Sequence, residues 1–456
     1  MRHSARAFIG VVFSAGLVFG CAIIPRQTGL PEVVKTIEQR TGVRIQQYTG
    51  APTGLVAERI HDLLREELTL DRAVQIALLN NRSLQATLEA LGIARADAIQ
   101  VSLLSNPVFS GHARVPEDEG KTNLELALAQ SVVETLLLPL RQRVARAQFE
   151  QIKLQVTDAI LRFLAEVKTT YYAVQATEQL VTMRGTVLQA AEAAAELAQR
   201  QYDAGNIRDF DLATEQAAAE EAQTELIHAQ TERIAAREAL TKILGLSHSD
   251  TGTWWVATVL PALPVHDPSV EELEMLAMRE RLDLAAARQE LEVLQRGLTA
   301  ARFGMLPATV AAINTETEPD GDRVTGPMWD VEVPIFDWGQ ARRGRLKAQL
   351  RQSQHRLAAL EVAVRSEVRI ASHRLAAQRQ LVERYQDRLL PLRRQIVASS
   401  QRHFNYMLIG AFQLLQLKQQ EIAAQQASIE ALRDYWMARA ELERAVGGRL
   451  PEGGGS

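Results

Sequence analysis

Cysteine is nearly absent, with Cys21 the only one among 456 residues. No disulfide can close within the chain, so packing must stabilise it even in an oxidising compartment. Aromatic residues are scarce too, at 5%. Ala, Gln, Leu, Glu and Arg fill long stretches instead, as they do in extended helices and coiled coils. That composition argues for long elements over the two or three round domains that length alone suggests. The net charge is only -4, and no Lys/Arg block with interleaved aromatics occurs. A nucleic-acid partner is therefore not indicated. The 9 histidines never adopt HExxH spacing, and the sequence has neither a Gly-x-Ser-x-Gly elbow nor a Gly-rich phosphate loop. Metal hydrolysis and nucleophilic catalysis have no visible seat, so no enzyme and no metal or organic cofactor is expected.

The one sustained apolar run, Ala7 to Gly20, follows Arg2, His3 and Arg6. This is the layout of a secretory signal, and the run is too short to span a bilayer comfortably. It ends in Leu17-Val18-Phe19-Gly20-Cys21, which resembles a bacterial lipoprotein processing site. Cleavage there would leave Cys21 first in the mature chain, where acyl chains would anchor it.

The sequence also repeats itself. Ala77, Leu84 and Pro107 recur as Ala277, Leu284 and Pro307, while Tyr202, Phe210, Leu212, Leu240 and Gly245 recur as Phe404, Phe412, Leu414, Leu442 and Gly447. The offset drifts only from 200 to 202, which implies duplication. Each copy runs helix, strand, strand, helix. In the first, Thr69 and Asp71 are candidate caps of a helix reaching about Leu104, which Asn106 and Pro107 stop. Val108 to Val115 alternates, as do residues 123–128 beyond a turn at Pro116 to Gly120, so the pair reads as a hairpin. In the second copy, Thr309 to Thr317 and Met328 to Phe336 flank the turn Pro319 to Asp322, and Trp329, Val331, Val333 and Ile335 form the clearest apolar face.

Strands of this length with one apolar face suit a lipid-embedded barrel, but four are too few to close one. Several chains must contribute. About 65 helix-compatible residues precede Gly205, or roughly 100 Å. Two half-length helices, Asp71 to Leu104 and Asp209 to Leu244, match that length end to end. The second copy repeats the scheme with a long helix from about Trp338 to Tyr406, in which Pro391 predicts a kink or break. Its half-length helices are Val270 to Phe303 and Ala411 to Val446.

The organisation expected is a signal peptide at 1–20, a lipidated segment at 21–68, a first repeat at 69–246 with its hairpin at about 107–132, a linker at 247–268, a second repeat at 269–447 with its hairpin at about 307–336, and a flexible tail at 448–456. The segments outside the repeats read as less regular, with Trp254 and Trp255 as packing anchors.

Three separated stretches carry a resemblance: Leu68-Thr69-Leu70-Asp71-Arg72-Ala73, Tyr202-Asp203-Ala204-Gly205-Asn206-Ile207 and Ile335-Phe336-Asp337-Trp338-Gly339-Gln340-Ala341-Arg342-Arg343. Together they resemble the TolC-type outer-membrane efflux channel family, and the start of the chain resembles its lipidated branch. The resemblance implies a mainly α fold with a small β part: a homotrimer whose twelve strands, four per chain, close an outer-membrane β-barrel continued by a long periplasmic α-helical barrel. The linker would lie in its equatorial region. Implied partners are a periplasmic adaptor, an inner-membrane pump and outer-membrane lipids.

By the same resemblance, the turns at Tyr202 to Asp211 and Phe404 to Gln413 form the periplasmic tip and the pore constriction. The residues concerned are Tyr202, Gly205, Asp209, Asp211, Phe404, Met407, Gln413 and Gln416. Gln413 and Gln416 stand where relatives carry aspartates, Met407 replaces a glycine, and Ile409 occupies an arginine position. Asp209 reads first as a helix cap and second as part of a carboxylate ring, whereas Asp211 reads equally as either. From the residues alone, a pore-less coiled-coil envelope lipoprotein is a second reading.

Overall fold

The computed structural model describes residues 29–42, 53–115, 117, 122–247, 254–303, 307–318 and 320–450. The expected signal peptide, Cys21 and its lipid, most of the first hairpin turn and the last six residues lie outside these. Helices α1 (Leu30–Thr41), α2 (Thr53–Leu64), α3 (Leu70–Asn80) and α4 (Arg82–Ser102) precede strands β1 (Val108–Arg114) and β2 (Asn123–Ser131). Then come α5 (Val132–Asp203), α6 (Asp209–Leu244), α7 (Val270–Glu280), α8 (Leu282–Phe303), β3 (Thr309–Thr317) and β4 (Arg323–Val331). Helices α9 (Gln340–Glu383), α10 (Leu390–Asn405) and α11 (Ala411–Val446) complete the chain, with a π-helical turn, Arg384–Leu389, between α9 and α10. Helix α5 is 72 residues long, about 108 Å at 1.5 Å per residue. The chain divides into two compact units.

The first unit holds Leu88–Val156 and Leu282–Glu361. Its strands form one antiparallel sheet in the order β1-β2-β3-β4, so the two hairpins of the duplication join edge to edge through β2 and β3. Register assigns every side chain to a face, because successive residues of a strand point to opposite sides. Phe109 pairs with Leu128, Leu128 with Ile313, and Ile313 with Pro327. Trp329 and Val331 continue that apolar face opposite Ala311 and Thr309. The other face carries His112, Arg114, Asn123, Glu125, Asn314 and Glu316.

One strand differs from its sequence reading. β4 spans Arg323–Val331, not Met328 to Phe336, so Val333 and Ile335 fall beyond the pairing. The turn explains the shift: Glu318 N–H donates to the Asp322 carbonyl at 2.8 Å, and Thr317 pairs at once with Arg323. At the far end Pro334 has no N–H to donate, and the ladder ends at the Glu332 N–H, bonded to the Ala308 carbonyl at 2.9 Å. Gly326-Pro327 reads locally as a turn yet sits within the strand. Helical parts of this unit pack on small residues: Ala145, Ala147 and Ala301 are buried. The Gln289 amide reaches the Ala147 carbonyl at 3.3 Å, and the Arg296 guanidinium reaches the Arg143 carbonyl at 3.1 Å.

The second unit holds Val34–Thr87, Thr157–Arg281 and Val362–Ser456. Each expected half-length helix before a hairpin is two helices here. The chain breaks at Asn81 (φ -68°, ψ 112°) and again at Arg281 (φ -65°, ψ 127°), 200 positions on. Tertiary contacts stabilise both breaks. The Asn81 amide donates to the Ile243 carbonyl at 2.8 Å and its oxygen accepts from the Leu84 N–H at 2.9 Å. The Arg281 guanidinium donates to the Ala445 carbonyl at 3.1 Å. Helix-terminating Gly245 and Gly447, both left-handed, pack on these breaks. The Arg281 side chain also meets Glu367, which pairs with Arg444 as well. Burial alone would raise the Glu367 carboxyl, but hydrogen bonds from Arg444 and Arg281 outweigh it and hold the group below its usual range.

The segment from Trp254 to Asp267 packs beside the middle of α5 and on α11. Trp254 is buried with Arg237 over its ring at 3.9 Å, whereas the Trp255 side chain is half exposed and its carbonyl accepts from the Leu68 N–H at 2.8 Å. Of the two expected anchors, Trp254 is the more deeply buried. The Tyr171 hydroxyl donates to the Leu68 carbonyl at 2.9 Å, and burial, aided by Glu67 and Asp71, pushes this phenol up to about 12. Asp267 accepts from Arg379 at 2.7 Å, from Tyr435 at 2.9 Å and from Arg439 at 3.0 Å. The N-terminal region is more regular than expected, since Val33 and Ile37 of α1 and Leu63 of α2 are buried. Pro391 does interrupt the long helix: it follows the π-helical turn, where the Leu390 N–H reaches back to the Tyr385 carbonyl.

Candidate functional site

The two turns singled out in the sequence share one backbone design. After α5, the Gly205 N–H bonds the Tyr202 carbonyl and the Asn206 N–H bonds the Gln201 carbonyl, both at 2.8 Å. After α10, the Met407 N–H bonds the Phe404 carbonyl and the Leu408 N–H bonds the His403 carbonyl, both at 2.9 Å. Each is the paired bond that closes a helix over a left-handed residue. Gly205 takes that position at φ 72° without steric cost, whereas Met407 takes it at φ 56°. Among the described residues Met407 is the only non-glycine with positive φ, and its side chain is 93% exposed. Tyr406 and Leu408 beside it are also exposed, as are Tyr202 and Phe210 at the first turn; Phe404 is marginally so.

The following helices begin differently. Arg208 is the N-cap of α6, and the Asp211 carboxylate accepts from the Arg208 backbone N–H and from its guanidinium, each at 3.3 Å. Asp211 is thus the residue that closes the cap, while Asp209 is the exposed first residue of the helix. Arg208 went unnoticed in the sequence, because a guanidinium has no acceptor with which to cap a helix and only the Asp211 side chain closes this start. In the second turn Gly410 caps α11 with no side-chain hydrogen bond. Gln413 and Gln416 are exposed and uncharged, so this helix start carries no carboxylate. Buried Glu215 lies one turn beyond Asp211, and burial pushes its carboxyl up.

The remaining motifs have structural roles. Thr69 caps α3 by accepting from the Arg72 N–H at 3.4 Å. In the third stretch the Asp337 carboxylate accepts from the Gly339 N–H at 2.8 Å, and Arg343 stacks over Trp338 at 4.7 Å, which shapes the start of α9. Among the described residues no group of three or more His, Cys, Asp or Glu side chains could hold a metal ion, and no helix is long and apolar enough to cross a membrane.

No protein-family model matches the chain. The cobalt-zinc-cadmium resistance protein CzcC of Cupriavidus metallidurans is 24% identical over 352 residues, which are 75% of this chain and 79% of that protein. Among solved structures, the Campylobacter jejuni outer-membrane channel CmeC matches with a TM-score of 0.72 at 16% identity, over 84% of this chain and 87% of its own. CusC, described as forming a transmembrane channel, matches with a TM-score of 0.70 at 15% identity, over 85% and 94%. The Vibrio cholerae outer-membrane protein VceC does so with a TM-score of 0.70 at 14% identity, over 83% and 96%. The duplicated helices, the four-stranded sheet and the paired turns together are the fold of the TolC-type outer-membrane efflux channels.

Proposed function

We propose that the chain is one subunit of a homotrimeric outer-membrane channel that passively conducts solutes outward in a tripartite export system. The observation that carries this reading is the sheet. Its four antiparallel strands of 7 or 9 residues have an exposed apolar face and a polar face bearing charged side chains. Four strands cannot enclose a lumen, and lipid tolerates strands only in closed barrels, so further copies must complete the ring; three copies would give about twelve strands. A helix of about 108 Å supports the periplasmic extension. In this reading Cys21 carries the lipid, and the turns with Tyr202, Gly205, Asp209 and Asp211 and with Phe404, Met407, Gln413 and Gln416 narrow the pore and meet a periplasmic adaptor linked to an inner-membrane pump. The polypeptide itself catalyses nothing.

The cargo proposed first is divalent metal cations, the class for which the sequence relative is named. Purified full-length protein is expected to need detergent, to run as a heat-modifiable trimer and to open a stable conductance in planar bilayers. A Cys21→Ala variant that is a water-soluble monomer without conductance would instead establish the pore-less lipoprotein. Unchanged cobalt, zinc and cadmium tolerance on deletion would remove the metal cargo.

A further inference from the structure

Glu125 on β2 and Glu316 on β3 stand directly opposite each other on the polar face of the sheet. Like charges in directly opposed positions destabilise a strand pair, so this rung works against the sheet it belongs to. The neighbouring side chains are arranged to hold it. The Asn314 amide donates to Glu125 at 2.9 Å, the Asn123 amide donates to Glu316 at 2.6 Å, and Arg114 lies 3.3 Å from the second Glu125 oxygen. A second observation is independent of the charges. The amide oxygens of Asn123 and Asn314 are buried and have no hydrogen-bond partner, so the rung offers acceptor oxygens beyond what its donors satisfy. Carboxylate and amide oxygens in excess of donors suit a cation, whose hydration shell they can partly replace.

The turns present fewer carboxylates: Asp211 is paired with Arg208, Asp209 stands exposed at the start of α6, and the second turn has Gln413 and Gln416. Among the paired residues on the polar face of the sheet, by contrast, Glu125, Glu316 and Asp330 face a single guanidinium, that of Arg114.

We propose that the Glu125–Glu316 rung is the cation-selecting ring of this channel, repeated in every copy around the barrel lumen. This rests on the reading above that the polar face lines a conducting lumen. The test is the reversal potential of full-length trimer in planar bilayers under a KCl gradient. Wild type, Glu125→Gln/Glu316→Gln, each single substitution, Arg114→Gln and Asp209→Asn/Asp211→Asn are compared, and retention of the heat-modifiable trimer reports folding. The double glutamine variant is expected to lower the K⁺/Cl⁻ permeability ratio by about threefold or more. Arg114→Gln should raise it, and the turn variant should lower it by less than the double glutamine variant does. If the double variant does not assemble, the singles decide, since each keeps an amide oxygen for its asparagine. A ratio unchanged in the sheet variants, or abolished by the turn variant alone, overturns the ring. A wild-type trimer that opens no conductance overturns the channel reading instead.

Discussion

Gly245 lies so close to Asn80 that a β-carbon on it would stand 2.7 Å from the Asn80 carbonyl oxygen. The duplicated glycine repeats the contact, with a β-carbon on Gly447 falling 3.1 Å from the Arg281 Cα and the Glu280 carbonyl oxygen. Left-handed backbone and close approach therefore act together at both sites. Gly205 shares the backbone angle but has nothing within 4 Å. Gly245→Ala should cost about 3 kcal/mol, combining strain with overpacking, and Gly205→Ala only about 1 kcal/mol. Thermal unfolding of the two variants in the same detergent separates the contributions.

Met407 holds a backbone conformation that glycine adopts freely. Met407→Gly should stabilise the second turn by about 0.5–1 kcal/mol, the relief of strain exceeding the added freedom of the unfolded glycine. Gly205→Met should weaken the first turn by about 1 kcal/mol. Hydrogen exchange of the turn amides reads both, and equal protection of the Leu408 amide in wild type and in Met407→Gly would contradict the expectation.

Glu367 is held low by Arg444 and Arg281 against its own burial. A depressed folded value means that the group stabilises the protein above its unfolded pKa and ceases to do so as pH falls through the folded one. Glu367→Gln should cost about 2 kcal/mol at neutral pH. The penalty should shrink as the solution is taken below the usual carboxylate range, so denaturant midpoints of wild type and variant should converge in acid.

Glu215 behaves in the opposite sense, because burial raises its carboxyl. A raised folded value favours the folded state at low pH, and this contribution is lost as pH rises through that value. Glu215→Gln should therefore stabilise the protein at neutral pH and have little effect in acid. A variant less stable than wild type at neutral pH would show that the charged carboxylate has a favourable partner in the assembly.

Local chemistry made much of the fold legible before any contact was known. The duplication at 200 to 202 residues, the alternation of β1 to β3, the stop at Pro107 and the interruption at Pro391 are short-range signals that a single segment carries. The two turns were legible for the same reason, as Gly205 and the spacing of Tyr202 and Phe404 mark where helices must end. Segments whose conformation is imposed from elsewhere were read wrongly. β4 was displaced because its pairing with β3 overrides the turn-like Gly326-Pro327. The breaks at Asn81 and Arg281 lie in helix-compatible sequence and form where Ile243 and Ala445 carbonyls accept their side chains. At the first turn Arg208, not Asp209, is the N-cap: Asp211 accepts from the Arg208 N–H, while Asp209 accepts from the Phe210 N–H inside the first helical turn.

The sequence by itself determined the long helices and the first three strands, that the pattern occurs twice, and that the second turn lacks carboxylates, because periodicity and residue identity are local properties. Only the tertiary structure decided that Glu125 faces Glu316. Such a juxtaposition depends on the register between two strands that α5 to α8 separate in the chain, which no single segment encodes, and a slip of one residue would have placed the two carboxylates on opposite faces.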